Sequence, residues 1–95
     1  MNDTRNAYVE KMKTKLDEWN ADIAKLEATA RQKEADTQKR YQERIAALKV
    51  RRHAVEEDLD KLRRAGSDAW EDLKDGFEMA ADSLGEALRS ARSRF

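Results

Sequence analysis

Few residues in this chain have side chains suited to acid–base or metal chemistry. It contains one histidine, His53, and no cysteine. A metal site or a catalytic pair needs two or more such groups at a defined spacing, so His53 alone predicts a solvated side chain on a helix. No glycine-rich loop is present to hold a phosphate group. We therefore expect no catalytic residues, no metal ligands and no cofactor, and we do not expect an enzyme.

Charged residues are abundant, and the two signs balance. There are 20 acidic and 20 basic residues, so the net charge is zero, and charged residues form 42% of the chain. Many carboxylates stand three or four residues from a base, as Glu57 does from Lys61, which is typical of ion pairs on an exposed helix face. Basic residues are frequent over 49–64, but the acids of 56–60 lie among them. Nucleic acid is therefore not an expected partner.

Composition and periodicity indicate long helices. The chain has no proline and three glycines, which favours helices or coiled coil over sheet. Near the N-terminus, steps of three and four form a coiled-coil seam at Val9, Met12, Leu16, Trp19, Ile23 and Leu26. The seam becomes polar over 33–40 and resumes at Tyr41. Because no glycine or proline interrupts it, we predict one helix over about 4–65, ~90 Å long. The alternative is a break near 33–37 that divides the chain into three segments of ~28 residues and gives a three-helix bundle.

One strong break in the helical pattern lies at Gly66, Ser67 and Asp68. Gly66 can adopt the left-handed conformation that ends a helix, and Ser67 or Asp68 can cap the next one. We predict a tight turn over about 66–68 and a second helix over about 69–95. A continuous helix with a flexible joint is the competing interpretation.

The second helix carries its own apolar stripe and can fold back onto the first. This arrangement would bring Phe95 near 38–41 but would leave the seam of 9–26 without a partner inside the chain. Since exposed apolar side chains are unfavourable, we predict an oligomer that covers this seam. The predicted fold is all-α, with 1–95 as one domain: a long coiled-coil helix followed by a shorter antiparallel helix, a helical hairpin, in an oligomeric bundle. The predicted hairpin packing uses Tyr41, Ile45, Leu48, Val55, Leu59, Leu62, Trp70, Leu73, Phe77, Leu84 and Leu88.

The run from Arg64 to Glu78, with Gly-Ser-Asp-Ala-Trp-Glu at 66–71, resembles a family of small bacterial coiled-coil proteins that are often described as stress-response proteins. The segment 8–20 and the Ser-Arg-Phe ending at 93–95 are similar to the same family. The resemblance implies a cytoplasmic bacterial protein with a link to stress response. The family has no established activity, so the resemblance implies no catalytic residues. Gly85, inside the second helix, departs from a good helical pattern.

These patterns favour a non-enzymatic coiled-coil oligomer that acts as a structural or protein-interaction module, in bacterial stress response if the resemblance holds. The alternative is a peripheral membrane-surface protein that binds lipid through the amphipathic helix of 69–95. No apolar run approaches the ~20 residues of a membrane span, and the N-terminus has no apolar signal region, so we expect a cytoplasmic location. The expected partners are further copies of the chain and an unidentified protein, with a membrane surface less favoured.

Overall fold

Three helices of nearly equal length make up the molecule. A computed structural model describes residues 2–95, with the side chains of 4–95, and contains α1 (Asn2–Arg31), α2 (Ala35–Arg63) and α3 (Ser67–Arg94). No strand occurs among these residues, which confirms the all-α prediction. The chain runs up, down and up, so α2 is antiparallel to its neighbours while α1 and α3 are parallel. The bundle measures 52 × 18 × 18 Å.

The first reversal lies at 32–34, and the prediction of one helix over 4–65 is therefore wrong. The amide of Lys33 donates to the carbonyl of Ala30 at 3.1 Å, and Glu34 is extended, with φ −59° and ψ 158°. The reversal falls where the apolar seam becomes polar, so a helix that continued straight through this segment would bury little apolar surface there. Turning instead lets α2 cover the seam of α1. The structure thus has the break of the three-helix alternative.

The second reversal lies at 64–66, slightly before the predicted turn. The φ and ψ angles of Gly66 are −79° and 174°, so the predicted left-handed conformation is wrong. Gly66 itself is the residue before α3, and its carbonyl accepts from the amides of Ala69 at 3.2 Å and Trp70 at 3.1 Å. Ser67 and Asp68 lie inside the first turn of α3, and no side chain caps this helix, so the predicted capping role of either residue is also wrong. The carboxylate of Asp68 still suits the positive end of the helix dipole.

All three helices contribute to one continuous apolar core. Of the residues predicted to pack in the hairpin, nine are buried, and Tyr41 and Leu73 are partly buried against them. The ring of Phe95 stacks on that of Tyr41 with centroids 4.0 Å apart, which confirms that the chain end returns to 38–41. The buried residues are Val9, Leu16, Ile23, Leu26, Ala30, Ile45, Leu48, Val55, Leu59, Leu62, Trp70, Phe77, Ala81, Leu84, Leu88 and Ala91.

The seam of 9–26, predicted to be uncovered in a single chain, is largely covered by the other two helices. Four of its six residues are buried in the core, and Met12 and Trp19 are partly buried against it. The expectation that this seam lacks a partner within one chain is therefore wrong. The seam is covered because the reversal at 32–34 divides the predicted long helix into two, and this supplies a third helix that the predicted hairpin lacked. Of this seam, Met12 and Trp19 are the residues that remain partly exposed.

Polar pairs on the bundle surface also link the helices. The ammonium of Lys49 on α2 lies 2.8 Å from the carboxylate of Glu27 on α1, and this hydrogen bond lowers the pKa of Glu27. Arg92 on α3 approaches Asp22 on α1 at 3.4 Å. These groups are partly exposed, so each pair contributes little to stability. They link α1 to α2 and α1 to α3.

Two valines on α2 test the position of the core. Val55 is 0% exposed and Val50 is 71% exposed. We expect Val55→Ala to lower the free energy of unfolding by about 2 kcal/mol, because it removes buried methyl groups and leaves a cavity. Val50→Ala is the matched control and should change it by less than about 0.5 kcal/mol. Urea denaturation followed by circular dichroism measures both; equal losses would contradict this core.

Candidate functional site

The parallel helices α1 and α3 pack less closely than either packs on α2 and leave a groove between them. This α1–α3 groove has a volume of about 390 Å³. Small residues on α3 open it, because Ala81 and Gly85 present little or no side chain toward α1. Its apolar floor consists of Met12, Trp19, Phe77, Ala81 and Gly85. Met12 and Trp19, which belong to the predicted oligomer seam, remain partly exposed in this groove.

Tyr8 closes one end of the groove and joins the two helices. Its hydroxyl donates to Oε2 of Glu78 at 2.8 Å. Its ring stands edge-on to Trp70 at 6.0 Å and to Phe77 at 6.2 Å between centroids. Burial raises the pKa of Tyr8 well above its ordinary value, and the hydrogen bond and negative charge of Glu78 raise it further. The phenol is therefore held as a donor and is not suited to act as a base.

Trp19 forms the middle of the floor and faces Gly85. A Cβ atom added at Gly85 would lie 3.5 Å from Cζ2 of the indole, an ordinary van der Waals distance. The ammonium of Lys15 lies 6.0 Å from the indole centroid, within reach of a cation–π contact. Glycine here widens the groove over the ring, although a methyl group would also fit.

The two walls of the groove carry opposite charges. Lys11 and Lys15 line the α1 wall. The α3 wall carries three acids and one base, Glu78, Asp82, Glu86 and Arg89, so its net charge is negative. Among the residues with described side chains, neither lysine lies within 4.0 Å of an acid on α3. The groove keeps the two rows apart, and both remain free to pair with groups outside the molecule.

Other candidate residues lie away from this groove. His53 is exposed, and its Nε2 lies 3.5 Å from Glu57 one helical turn away. Within the described part of the chain, no three His, Asp or Glu side chains are placed to hold a metal ion. None of the helices described here combines the length and apolarity required to cross a bilayer.

The lipid-binding alternative depends on the apolar face of α3, which lies inside the bundle. Phe77, Leu84 and Leu88 are each almost completely buried. Transferring such a side chain to water costs about 1.5–3 kcal/mol, so α3 would have to leave the bundle and regain this energy in lipid. None of the observed contacts favours that step.

Sequence reasoning missed Tyr8. The periodicity assigned the core position to Val9, and Tyr8 stood beside the seam as an unremarkable flanking residue. Its position next to Glu78 follows only from the parallel packing of α1 and α3, which requires the reversal at 32–34. Arg5, three residues before Tyr8, also contacts α3, where its guanidinium carbon lies 5.1 Å from the Trp70 ring centroid.

Titration of Tyr8 tests the end of the groove. In a Tyr41→Phe variant Tyr8 is the only tyrosine, and its phenolate absorbs near 295 nm. We expect the folded protein to resist ionisation past the ordinary pKa of about 10, and the protein unfolded in urea to ionise near it. Since the pKa of Tyr8 is higher in the folded state than in the unfolded state, its neutral phenol stabilises the fold. This contribution to the free energy of unfolding is complete below pH ~10 and is lost as the pH rises above it. Ionisation near pH ~10 in the folded state would contradict the Tyr8–Glu78 geometry.

Two glycines on α3 test the packing over Trp19. Gly85→Ala and Gly76→Ala should each raise the free energy of unfolding by about 1 kcal/mol, because alanine favours helix over glycine. Only Gly85→Ala should change the environment of Trp19, since no other atom lies within 4 Å of a Cβ added at Gly76. Tryptophan fluorescence in a Trp70→Phe background, where Trp19 alone emits, measures this difference. An equal spectral change in both variants would refute the contact.

Comparison of the chain with protein-family models, with curated proteins and with solved structures gave no match. The resemblance to bacterial coiled-coil proteins therefore stays a prediction. A functional proposal has to be argued from the residues and geometry of this chain.

Proposed function

We propose that this protein is a non-enzymatic structural module that pairs with a second copy of itself through the α1–α3 groove. One observation carries the proposal: a basic wall on α1 and a wall of net negative charge on α3 stand on either side of a partly exposed apolar floor. Such a surface is complementary to itself. A two-fold symmetric pair needs a patch of this kind.

The charges select one orientation of the pair. When two copies face each other about a two-fold axis parallel to the bundle, α1 of each copy meets α3 of the other. Lys11 and Lys15 then face the second copy's Asp82 and Glu86, twice per dimer. A two-fold axis perpendicular to the bundle would instead set α1 against α1 and lysine against lysine. Since like charges oppose association, the parallel pair is favoured.

The apolar floor supplies the remaining attraction. Met12 and Trp19 are the parts of the predicted oligomer seam that the third helix leaves partly exposed. Tryptophan and methionine are both enriched in protein interfaces, where they bury a large area at a small cost in entropy. Between Tyr8 and Trp19 the groove extends only ~16 Å along α1. An interface of this size belongs to the weak, reversible class.

The absence of a candidate catalytic constellation in the sequence agrees with a structural role. His53 is the only histidine, and the raised pKa of Tyr8 makes its phenol a poor base at neutral pH. A role in bacterial stress response rests on the family resemblance alone. The structural module is proposed independently of that resemblance.

A charge exchange between two variants tests the pairing through the charged walls of the groove. The first variant carries Lys11→Glu with Lys15→Glu, and the second carries Asp82→Lys with Glu86→Lys. We expect each alone to be monomeric, because like charges then face each other across the pair. Mixing them should restore a dimer, since Glu on α1 of one variant meets Lys on α3 of the other. Analytical ultracentrifugation over a range of concentrations measures the particle mass of each variant alone and of their mixture.

All four altered residues are exposed, so the variants should keep their helical content, which circular dichroism checks. The control variant carries Lys13→Glu with Lys25→Glu, the same charge change on α1 outside the groove, and should dimerise like the original protein. A monomer at every concentration of the unaltered protein would refute the proposal. A wild-type dimer whose charge-exchanged variants fail to associate on mixing would refute pairing through the charged walls of the groove.

A further inference from the structure

A second surface groove lies between α2 and α3 on the side of the molecule away from α1. It contains two shallow recesses of about 190 and 270 Å³. Arginines line it on both helices, and no acidic residue lines either recess. Small or hydroxyl-bearing side chains form much of the α3 side. We call this surface the arginine groove, and its lining includes Thr37, Arg40, Arg44, Arg51, Ser90 and Arg94.

The guanidinium groups of the arginine groove are not neutralised by the protein. Among the residues with described side chains, no carboxylate lies within 4.0 Å of Arg40, Arg44, Arg51 or Arg94. By contrast, Arg63 and Arg64 near the other end of α2 both pair with Asp60 at 2.6 Å. The side chain of Arg51 donates to Oγ of Ser83, which holds it across the groove. Because arginine stays protonated at all ordinary pH values, four permanent positive charges face solvent here.

The groove lies in the positive half of a polarised molecule. The half with the reversal at 32–34 comprises 20–52 and 80–95, and holds 12 basic and 7 acidic residues. The other half, 1–19 and 53–79, holds 8 basic and 13 acidic residues. The net charges are thus +5 and −5, although the whole chain is neutral. A field of this kind attracts an anion to one half and repels it from the other.

An aromatic pair stands at the end of the arginine groove. The rings of Tyr41 and Phe95 are stacked at 4.0 Å, with 19° between their planes. Both rings are only partly buried and line the same recess as Arg40, Arg44 and Arg94. A stacked ring beside a row of arginines offers a planar surface for a nucleobase together with charges for the adjoining phosphates.

We propose that the arginine groove binds single-stranded nucleic acid. Arg40, Arg44 and Arg51 extend over 11 residues of α2, ~16 Å, and contact successive phosphates along the strand. Arg94 contacts the strand from α3. A base at the end of the contacted segment stacks on the exposed part of the Tyr41–Phe95 pair. The contacts go to phosphates and to the face of a base, so binding is independent of sequence.

The acids beside the groove favour a narrow strand over a wide anionic surface. Glu43 and Glu86 are exposed, and the helical repeat of 100° per residue places them on the outer shoulders of α2 and α3. A flat membrane or a DNA duplex would meet these carboxylates before it reached the arginines. A single strand fits between the shoulders and contacts the arginines alone.

This proposal replaces the expectation that nucleic acid is not a partner. That expectation rested on the basic residues of 49–64, among which acids are interleaved. Folding instead groups Arg40, Arg44 and Arg51 with Arg94, which is distant in sequence. No acid stands within the resulting groove lining.

Fluorescence anisotropy with a labelled oligothymidylate tests the proposal at several salt concentrations. We expect binding at low salt that weakens with a slope of about −3 in a plot of log affinity against log salt, as for four phosphate contacts on a single strand. A variant with Arg40→Glu and Arg44→Glu should bind about tenfold or more weakly. The matched control is Arg63→Glu with Arg64→Glu, the same charge change in the negative half. It should retain affinity within about twofold of the unaltered protein.

Several results would overturn the proposal. One is no binding of the oligonucleotide by the unaltered, helical protein at low salt, and another is equal weakening by the control variant. Tighter binding to a duplex of the same length, or binding only to vesicles containing phosphatidylglycerol, would assign the groove to a different partner. None of the four substitutions lies in the α1–α3 groove, so failure here leaves the proposed dimer untouched.

Discussion

Coverage of the apolar stripe of α1 by the other two helices is the interaction on which the rest of the structure depends. Val9, Leu16 and Ile23 are buried because α2 and α3 lie against α1. The chain supplies both helices by reversing twice. The reversal at 32–34 makes α1 and α3 parallel neighbours, and this brings Tyr8 to Glu78 and Arg92 to Asp22. The α1–α3 groove is a consequence of this reversal, whereas the arginine groove between α2 and α3 depends on the second reversal, at 64–66.

The sequence predicts the core well because apolar spacing is a local property. Steps of three and four residues identify the buried face of a helix whatever covers it, so Ile45, Leu62 and Phe77 could be recognised before their partners were known. The position of the second reversal was also visible, since Gly66 interrupts a helical pattern. The backbone conformation of Gly66 could not be predicted, because a glycine at a helix end is compatible with both an extended and a left-handed conformation.

The first reversal could not be located with certainty from local preference. Gln32, Lys33 and Glu34 are all good helix formers, and nothing in their side chains stops a helix. The chain turns there because two helices bury more apolar surface together than one long helix does, which is a property of distant residues. The exposed part of the oligomer seam was overestimated for the same reason. Without the reversal at 32–34, no helix of the same chain would cover Leu16 and Ile23. The role of Tyr8 was missed for the same reason as well.

Folding also separates charges that are mixed along the sequence. A chain of zero net charge becomes a bundle with a positive and a negative half, a groove with walls of opposite sign, and a second groove with arginines alone. Each surface combines residues from two helices, so the charge counted over a short segment of the sequence does not reveal the charge of the surface. The two surfaces lie on different sides of α3, and Glu86 stands at the edge of both.

The reversal at 32–34 is the central claim, and X-ray scattering from a dilute solution, in line with light scattering, tests it most directly. The structure predicts a monomer at high dilution with a longest Cα extent near 52 Å and a Cα radius of gyration near 15.5 Å, plus a small increment for side chains and hydration. A single helix over 4–65 would extend ~90 Å, at 1.5 Å per residue. A particle of that length at the mass of one chain would contradict the three-helix bundle and the α1–α3 groove that depends on it.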